Sequence, residues 1–181
     1  MYLNIITPCS RPENLHKIAE SINIPKDNYR WIVVCDLDEL PNAELIPKNC
    51  EIYTHRNKES VAGHSQRNFA LDMITQGYIY MQDDDTLMHP ELWQNIKELT
   101  EDFIHFKQSF PDGNLRLNIG RVETGHIDSH NFIVNFNVFG DLRWEAGNYC
   151  ADGAFAEKCM AKNKFTFIAI NKVLSIYNSL R

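Results

Sequence analysis

Three adjacent carboxylates, Asp83-Asp84-Asp85, follow the apolar run Tyr78-Ile79-Tyr80-Met81 after a single glutamine. Carboxylates this close repel one another, and each is costly to desolvate. A hard divalent cation, Mn2+ or Mg2+, relieves both costs and prefers oxygen ligands. Two of the carboxylates on one cation would leave coordination positions open for diphosphate oxygens. The cation would then stabilise charge developing on a leaving group. An acidic triplet can equally be a solvated loop with helix-capping duties. Its place directly after a buried strand favours the metal. The EF-hand pattern, with its glycine and terminal glutamate, is missing.

Two further polar clusters also follow apolar runs. Thr7-Pro8-Cys9-Ser10-Arg11 comes after Leu3–Thr7, and Asp36-Leu37-Asp38 after Trp31–Cys35. Ligands of open α/β sheets bind at the carboxyl ends of the strands, so the three clusters are expected to face one crevice. Thr7, Pro8 and Arg11 would contact a nucleotide there, while Ser10 caps the helix that follows. Asp36 can accept a hydrogen bond from a uracil imide N–H or a ribose hydroxyl; otherwise it is a turn residue. His64 and Arg67 lie three apart at a helix N-terminus, an end that favours anions. They would meet a diphosphate or a nucleobase, or else form a solvated helix end.

Asp152 reads first as an N-cap. As a catalytic group it could deprotonate an acceptor hydroxyl. Trp144 and Glu145 before it could form an acceptor platform, or simply be core and surface. His126 and His130 read as solvated loop histidines outside the metal set.

The elements that must position these residues alternate. Strands are expected over Leu3–Thr7, Trp31–Cys35, Glu51–Thr54 and Tyr78–Met81. Ser10-Arg11-Pro12-Glu13 looks like a capping box with proline in the first turn, ahead of Leu15, Ile18, Ala19 and Ile22 at helical spacing. A second helix spans His64–Gln76 and stops at Gly77. A long helix after Pro90 would place Leu92, Ile96, Leu99 and Phe103 inward. Arg116–Val122, Phe132–Phe139 and Phe165–Ile170 read as strands, and Asp152–Lys162 as a helix. This order implies an α/β fold: a mostly parallel sheet flanked by helices, with a small mixed C-terminal part. No internal boundary interrupts residues 1–181.

Bulk composition narrows the function classes. The chain has 181 residues, 44% hydrophobic and 23% charged, with net charge -6 and no basic stripe. That argues against a general nucleic-acid binder. Five cysteines without a CxxC pair read as reduced thiols, not as a disulfide framework or zinc site. The N-terminus lacks a signal-peptide pattern and no apolar run is long enough to span a bilayer, so a cytoplasmic protein is expected.

Taken together, these residues resemble the GT-A class of glycosyltransferases, especially its family-2-like members. Ile5-Ile6-Thr7-Pro8-Cys9-Ser10-Arg11-Pro12-Glu13-Asn14-Leu15 is similar to that family's opening strand and turn. Arg67-Asn68-Phe69-Ala70-Leu71 resembles its Arg-Asn helix, and Tyr78–Asp85 the strand ending in its DXD motif. The likeness covers about the first half of the chain. It implies a Rossmann-like GT-A domain, with a nucleotide-sugar-binding part at about 1–110 and an acceptor and catalytic part at about 111–181. It implies that Asp36 contacts uracil, that Arg67 lies near the nucleotide, that Asp83 and Asp84 face the donor, and that Asp85 with Asp83 binds Mn2+ or Mg2+. Asp152-Gly153-Ala154-Phe155 is more weakly similar to the motif carrying the general base, with Ala151-Asp152 where the family has Glu-Asp. The implied reaction moves a sugar from a nucleoside diphosphate sugar, UDP-linked, to a hydroxyl of a glycan or glycoconjugate. Two other classes share parts of this pattern. A nucleotidyltransferase that makes nucleotide sugars would want a glycine-rich phosphate loop, and Thr7–Pro12 has no glycine. A non-catalytic nucleotide- or carbohydrate-binding module is the other.

Overall fold

The computed structural model describes residues 1–56, 58 and 60–181. Its strands are β1 (Leu3–Cys9), β2 (Tyr29–Cys35), β3 (Glu51–Thr54), β4 (Tyr78–Met81), β5 (Phe103–Ser109), β6 (Leu115–Leu117), β7 (Phe132–Asn135) and β8 (Phe167–Ile176). The helices are α1 (Leu15–Ser21), α2 (His64–Leu71), α3 (Leu92–Ile96), α4 (Phe136–Phe139) and α5 (Ala151–Met160). The strands form one sheet in the order β3-β2-β1-β4-β7-β5-β6, with β8 on β5.

The first four strands are mutually parallel, and β7 joins them antiparallel to β4. Register decides what this arrangement can do. Cys9 stands opposite Cys35, and Ile6 opposite Met81, so the turns after β1, β2 and β4 leave the same edge of the sheet. Apolar residues then sort by alternation. Ile5, Trp31, Val33 and Tyr80 face α1 and α3, whereas Ile6, Ile32, Val34 and Met81 face α2 and α5. Strands buried on both faces read as continuous apolar runs, and β1 and β2 do.

The second half departs from the sequence expectation. The helix after Pro90 ends at Ile96, and Phe103 opens a seven-residue strand instead of lying on a helix face. Asp102 explains the switch. Its carboxylate accepts from Thr166 N (2.9 Å), Thr166 Oγ1 (3.0 Å) and Asn135 Nδ2 (2.8 Å), which fastens the start of β5 between its neighbours. Apolar spacing fits both periods here, and sheet pairing decides. The expected strand over Arg116–Val122 is reduced to β6, and the one over Phe132–Phe139 stops at Asn135, whose side chain caps α4. The strand at Phe165–Ile170 shifts and lengthens to β8. The helix expected over His64–Gln76 ends at Leu71.

The expected capping box is also absent. Arg11, not Ser10, precedes the short turn of helix at Pro12–Asn14, with no side-chain cap. Ser10 bonds elsewhere, as the site shows. No helix among the described residues is long and apolar enough to cross a membrane.

Candidate active site

The turns at the shared sheet edge enclose a pocket of about 450 Å³. Pro8, Arg11, Asp36, Arg67, Asp83, Asp84, Asp85 and Asp152 all line it. Two residues expected to contact the ligand fall outside. Thr7 is fully buried, and its Oγ1 accepts from Trp31 Nε1 at 2.9 Å, so it belongs to the sheet's interior. His64 is buried behind the pocket, with Nδ1 2.9 Å from Arg67 Nη1. Burial, then the Arg67 charge, lowers its pKa to about 4, so it stays neutral and accepts from the guanidinium. Its position comes from Gly63, at φ 75°. A Cβ there would meet Pro8 Cβ at 2.5 Å, so only glycine lets the start of α2 reach the end of β1.

The three acidic residues have three different surroundings. Asp83 Oδ1 pairs with Arg67 Nη2 at 2.6 Å, and Oδ2 lies 3.1 Å from His130 Nε2. Burial works against the Asp83 charge, but Arg67 and then His130 outweigh it and hold the carboxyl below its ordinary range. Asp84 is saturated by the chain. Oδ2 accepts from Ser10 N (2.5 Å), Ser10 Oγ (3.0 Å) and Arg11 N (2.7 Å), and Oδ1 from Arg11 Nη1 (2.6 Å). It therefore shapes the turn after β1, with Oδ2 taken up by those three bonds and Oδ1 by the Arg11 guanidinium. Asp85 Oδ2 lies 2.6 Å from Arg181 Nε and 3.3 Å from Arg11 Nη1.

Among the described residues no group of three or more His, Cys, Asp or Glu side chains is arranged to hold a metal ion. The donor set nonetheless suits a cation that takes one carboxylate from the chain and its remaining ligands from a bound molecule. Asp85 offers a hard carboxylate at the pocket, and the side chain of Arg181 that covers it is 56% exposed, free to move without opening the core. Cations of the Mg2+ type are commonly held by one or two carboxylates plus phosphate oxygens. Charge points the same way. Six aspartates and four arginines line the pocket, an excess of negative charge that a bound cation would offset.

Asp152 lies in the first turn of α5 and not at its N-cap, a position that Cys150 holds without a side-chain cap. Its Oδ1 accepts from Trp144 Nε1 at 3.1 Å. Burial raises its pKa; Arg67 opposes the rise, while Asp128 and Asp83 add to it. A carboxylate so placed accepts a proton readily. Gly153 follows because a Cβ would lie 2.3 Å from Thr124 Cα. That close approach accounts for the glycine beside the acidic residue.

Trp144 and Glu145 are core and surface, not an acceptor platform. Trp144 is buried and stacks on Phe155, with ring centroids 3.7 Å apart, and Glu145 pairs with Lys158 at 2.7 Å on the surface. The exposed aromatic at the pocket is Tyr149, 82% exposed. Three residues that line the pocket, Asp128, Arg116 and Arg181, carried no sequence signal, and His130, read as a solvated loop histidine, is instead buried beneath Asp83. Asp128 and Asn131 form a reciprocal cap that fixes His130. Arg116 pairs with Asp128 at 3.0 Å and lies 3.8 Å over the Tyr177 ring.

No family model matches the chain, and no curated protein matches it significantly. Solved structures do. Residues 1–349 of TarS from S. aureus superpose with a TM-score of 0.75 at 15% identity, over 97% of this chain and 60% of that one. The same protein in complex with UDP-GlcNAc gives 0.68 at 15% identity, over 95% and 59%. The mannosyltransferase PcManGT from Pyrobaculum calidifontis, in complex with GDP-Man and Mn2+, gives 0.68 at 14% identity, over 97% and 56%. The chain thus spans about 60% of the length of these structures. The fold they share with it is the GT-A arrangement expected from the sequence.

Proposed function

We propose that the chain is a glycosyltransferase that moves a sugar from a nucleoside diphosphate sugar, UDP-linked, to a hydroxyl of a glycan or glycoconjugate. One observation carries this reading: the ends of β1, β2 and β4 and the first turn of α5 converge on one pocket. That pocket holds carboxylates of opposed character, Asp83 kept ionised and Asp152 ready to take a proton. Opposed pKa values mark a division of roles. The neighbours solved with UDP-GlcNAc and with GDP-Man and Mn2+ support a nucleotide-sugar donor.

Asp36, exposed at the pocket edge, accepts from the uracil imide or a ribose hydroxyl. Asp83, its geometry locked by buried Arg67, faces the donor's ribose or sugar. Arg11 lies where the diphosphate enters. A Mn2+ or Mg2+ held at Asp85 would supply the charge that stabilises the departing nucleoside diphosphate. Asp152 deprotonates the acceptor hydroxyl as it attacks the anomeric carbon, and Tyr149 offers its ring to the acceptor. Donor binding centres on about 1–110, and the acceptor and catalytic part on about 111–181. The turn after β1 argues against a nucleotidyltransferase, because Asp84 already takes the Ser10 and Arg11 backbone N–H groups that would cradle a triphosphate.

Thermal unfolding with UDP, UDP-sugars, GDP and GDP-mannose, with and without Mn2+, tests the donor site. A ligand that binds the folded state raises the midpoint by mass action. A Mn2+-dependent rise with UDP or a UDP-sugar, together with slow release of UDP from that sugar, is expected. No rise with any of them would sink the reading.

A further inference from the structure

After β8 the chain folds back over the acidic run. Tyr177 N donates to Ser109 O (2.8 Å), Leu87 N to Ser179 Oγ (2.7 Å), and Leu180 N to Asp85 O (2.8 Å). These bonds set the guanidinium of Arg181 against Asp85 Oδ2 at 2.6 Å. The Asp85 side chain is only 5% exposed, so an uncompensated charge there would be costly, and Arg181 offsets it. Arg11 contributes less to Asp85. It stands farther off, at 3.3 Å, and is anchored to Asp84 at 2.6 Å through a backbone that Asp84 also holds. Arg181 has no such second carboxylate among the described residues, and more than half of its side chain meets solvent.

Two cations cannot share Asp85 Oδ2 at bonding distance without strong repulsion. A divalent ion that takes Asp85 Oδ2 therefore displaces Arg181. The expelled side chain stays tethered at the pocket by Leu180 and Ser179, and a guanidinium fork matches phosphate oxygens in two-point contact. We propose that Arg181 is an exchangeable counter-ion: it neutralises Asp85 before donor binding, and passes to the donor's diphosphate when a divalent cation takes Asp85. This rests on the nucleotide-sugar reading of the pocket, and it assigns Arg181 opposite effects on the cation and on the nucleotide.

Titration calorimetry with Mn2+ alone, and with UDP at saturating Mn2+, reads both effects in wild type, Arg181→Gln and Arg181→Lys. In Arg181→Gln, Mn2+ alone should bind several-fold tighter, because its competitor is gone. UDP should bind about tenfold weaker, the loss of one charge-assisted contact. Arg181→Lys should fall between the two proteins on both readings. Unchanged affinities overturn the proposal. A loss of both affinities overturns it too, since that pattern marks a structural role for the segment. Wild type that binds neither UDP nor Mn2+ would defeat the glycosyltransferase reading itself, and this proposal with it. Wild type that binds UDP while Arg181→Gln behaves identically would defeat this proposal alone.

Discussion

Trp144 Nε1 donates to Asp152 Oδ1 over 3.1 Å, and the same indole is clamped against Phe155. The tryptophan thus belongs to the core, the second of its two sequence readings, and orients the residue proposed as base. One carboxylate oxygen is engaged, and burial keeps the group's pKa above the ordinary carboxylate range. Below that pKa the base is protonated and idle, so kcat/KM should rise with pH through a limb displaced upward from ordinary carboxylates. Asp152→Asn retains an oxygen for Trp144 and should lower transfer by about 10²–10⁴ with unchanged UDP affinity. A variant that transfers at the wild-type rate would remove Asp152 from the chemistry.

Arg67 is 2% exposed as a side chain, whereas its partner Asp83 is 31% exposed. The two halves of the pair should therefore differ when broken. Asp83→Ala strands a buried guanidinium and should cost about 3 kcal/mol or more in urea unfolding. Arg67→Met leaves a carboxylate that still reaches water and should cost less. Equal losses would mean that solvent reaches Arg67.

His130 Nε2 lies 2.7 Å from Asp83 N and 3.1 Å from Asp83 Oδ2. It can accept from the amide when neutral or donate to the carboxylate when charged. Burial opposes the charge, but Asp83 and Asp128 prevail and raise the pKa to about 9. A raised folded pKa stabilises the protein fully below the unfolded value of about 6.5. That contribution is lost as pH climbs through about 9. Unfolding midpoints should thus fall between these limits, and His130→Gln should flatten the slope. An unchanged slope would show that His130 is neutral throughout.

Tyr149 is the most exposed large hydrophobic residue and sits at the pocket beside Asp152. Tyr149→Ala should raise the acceptor KM about tenfold, a stacking contact of ~1.4 kcal/mol. Release of UDP from the donor without an acceptor should be unaffected. If donor release falls equally, Tyr149 supports the fold or the donor instead.

The polar clusters ending the parallel strands were legible because buried parallel strands are continuous apolar runs that stop abruptly where ligands bind. Leu3–Thr7, Trp31–Cys35 and Tyr78–Met81 announce themselves in this way, inside the observed strands Leu3–Cys9, Tyr29–Cys35 and Tyr78–Met81. Beyond β4 the pattern weakens, since Leu92, Ile96, Leu99 and Phe103 fit a helical face as well as they fit a helix, a turn and a strand. Which of the two forms depends on Asp102 bonding Thr166 and Asn135, residues at least 33 positions away.

Within the site the same division holds. Residue types and spacing alone placed Asp36, Asp83, Asp85, Arg67 and Asp152 among the candidates. They could not separate Asp84, closed off by Ser10 and Arg11, from Asp85, held by Arg181 from 96 positions along the chain. Nor could they show Thr7 turned to Trp31, or His130 set under Asp83. Strand ends and their chemistry are local properties, written in short stretches of sequence. The partner of each charge is settled by which distant segments the sheet brings together, and only the tertiary structure decides that.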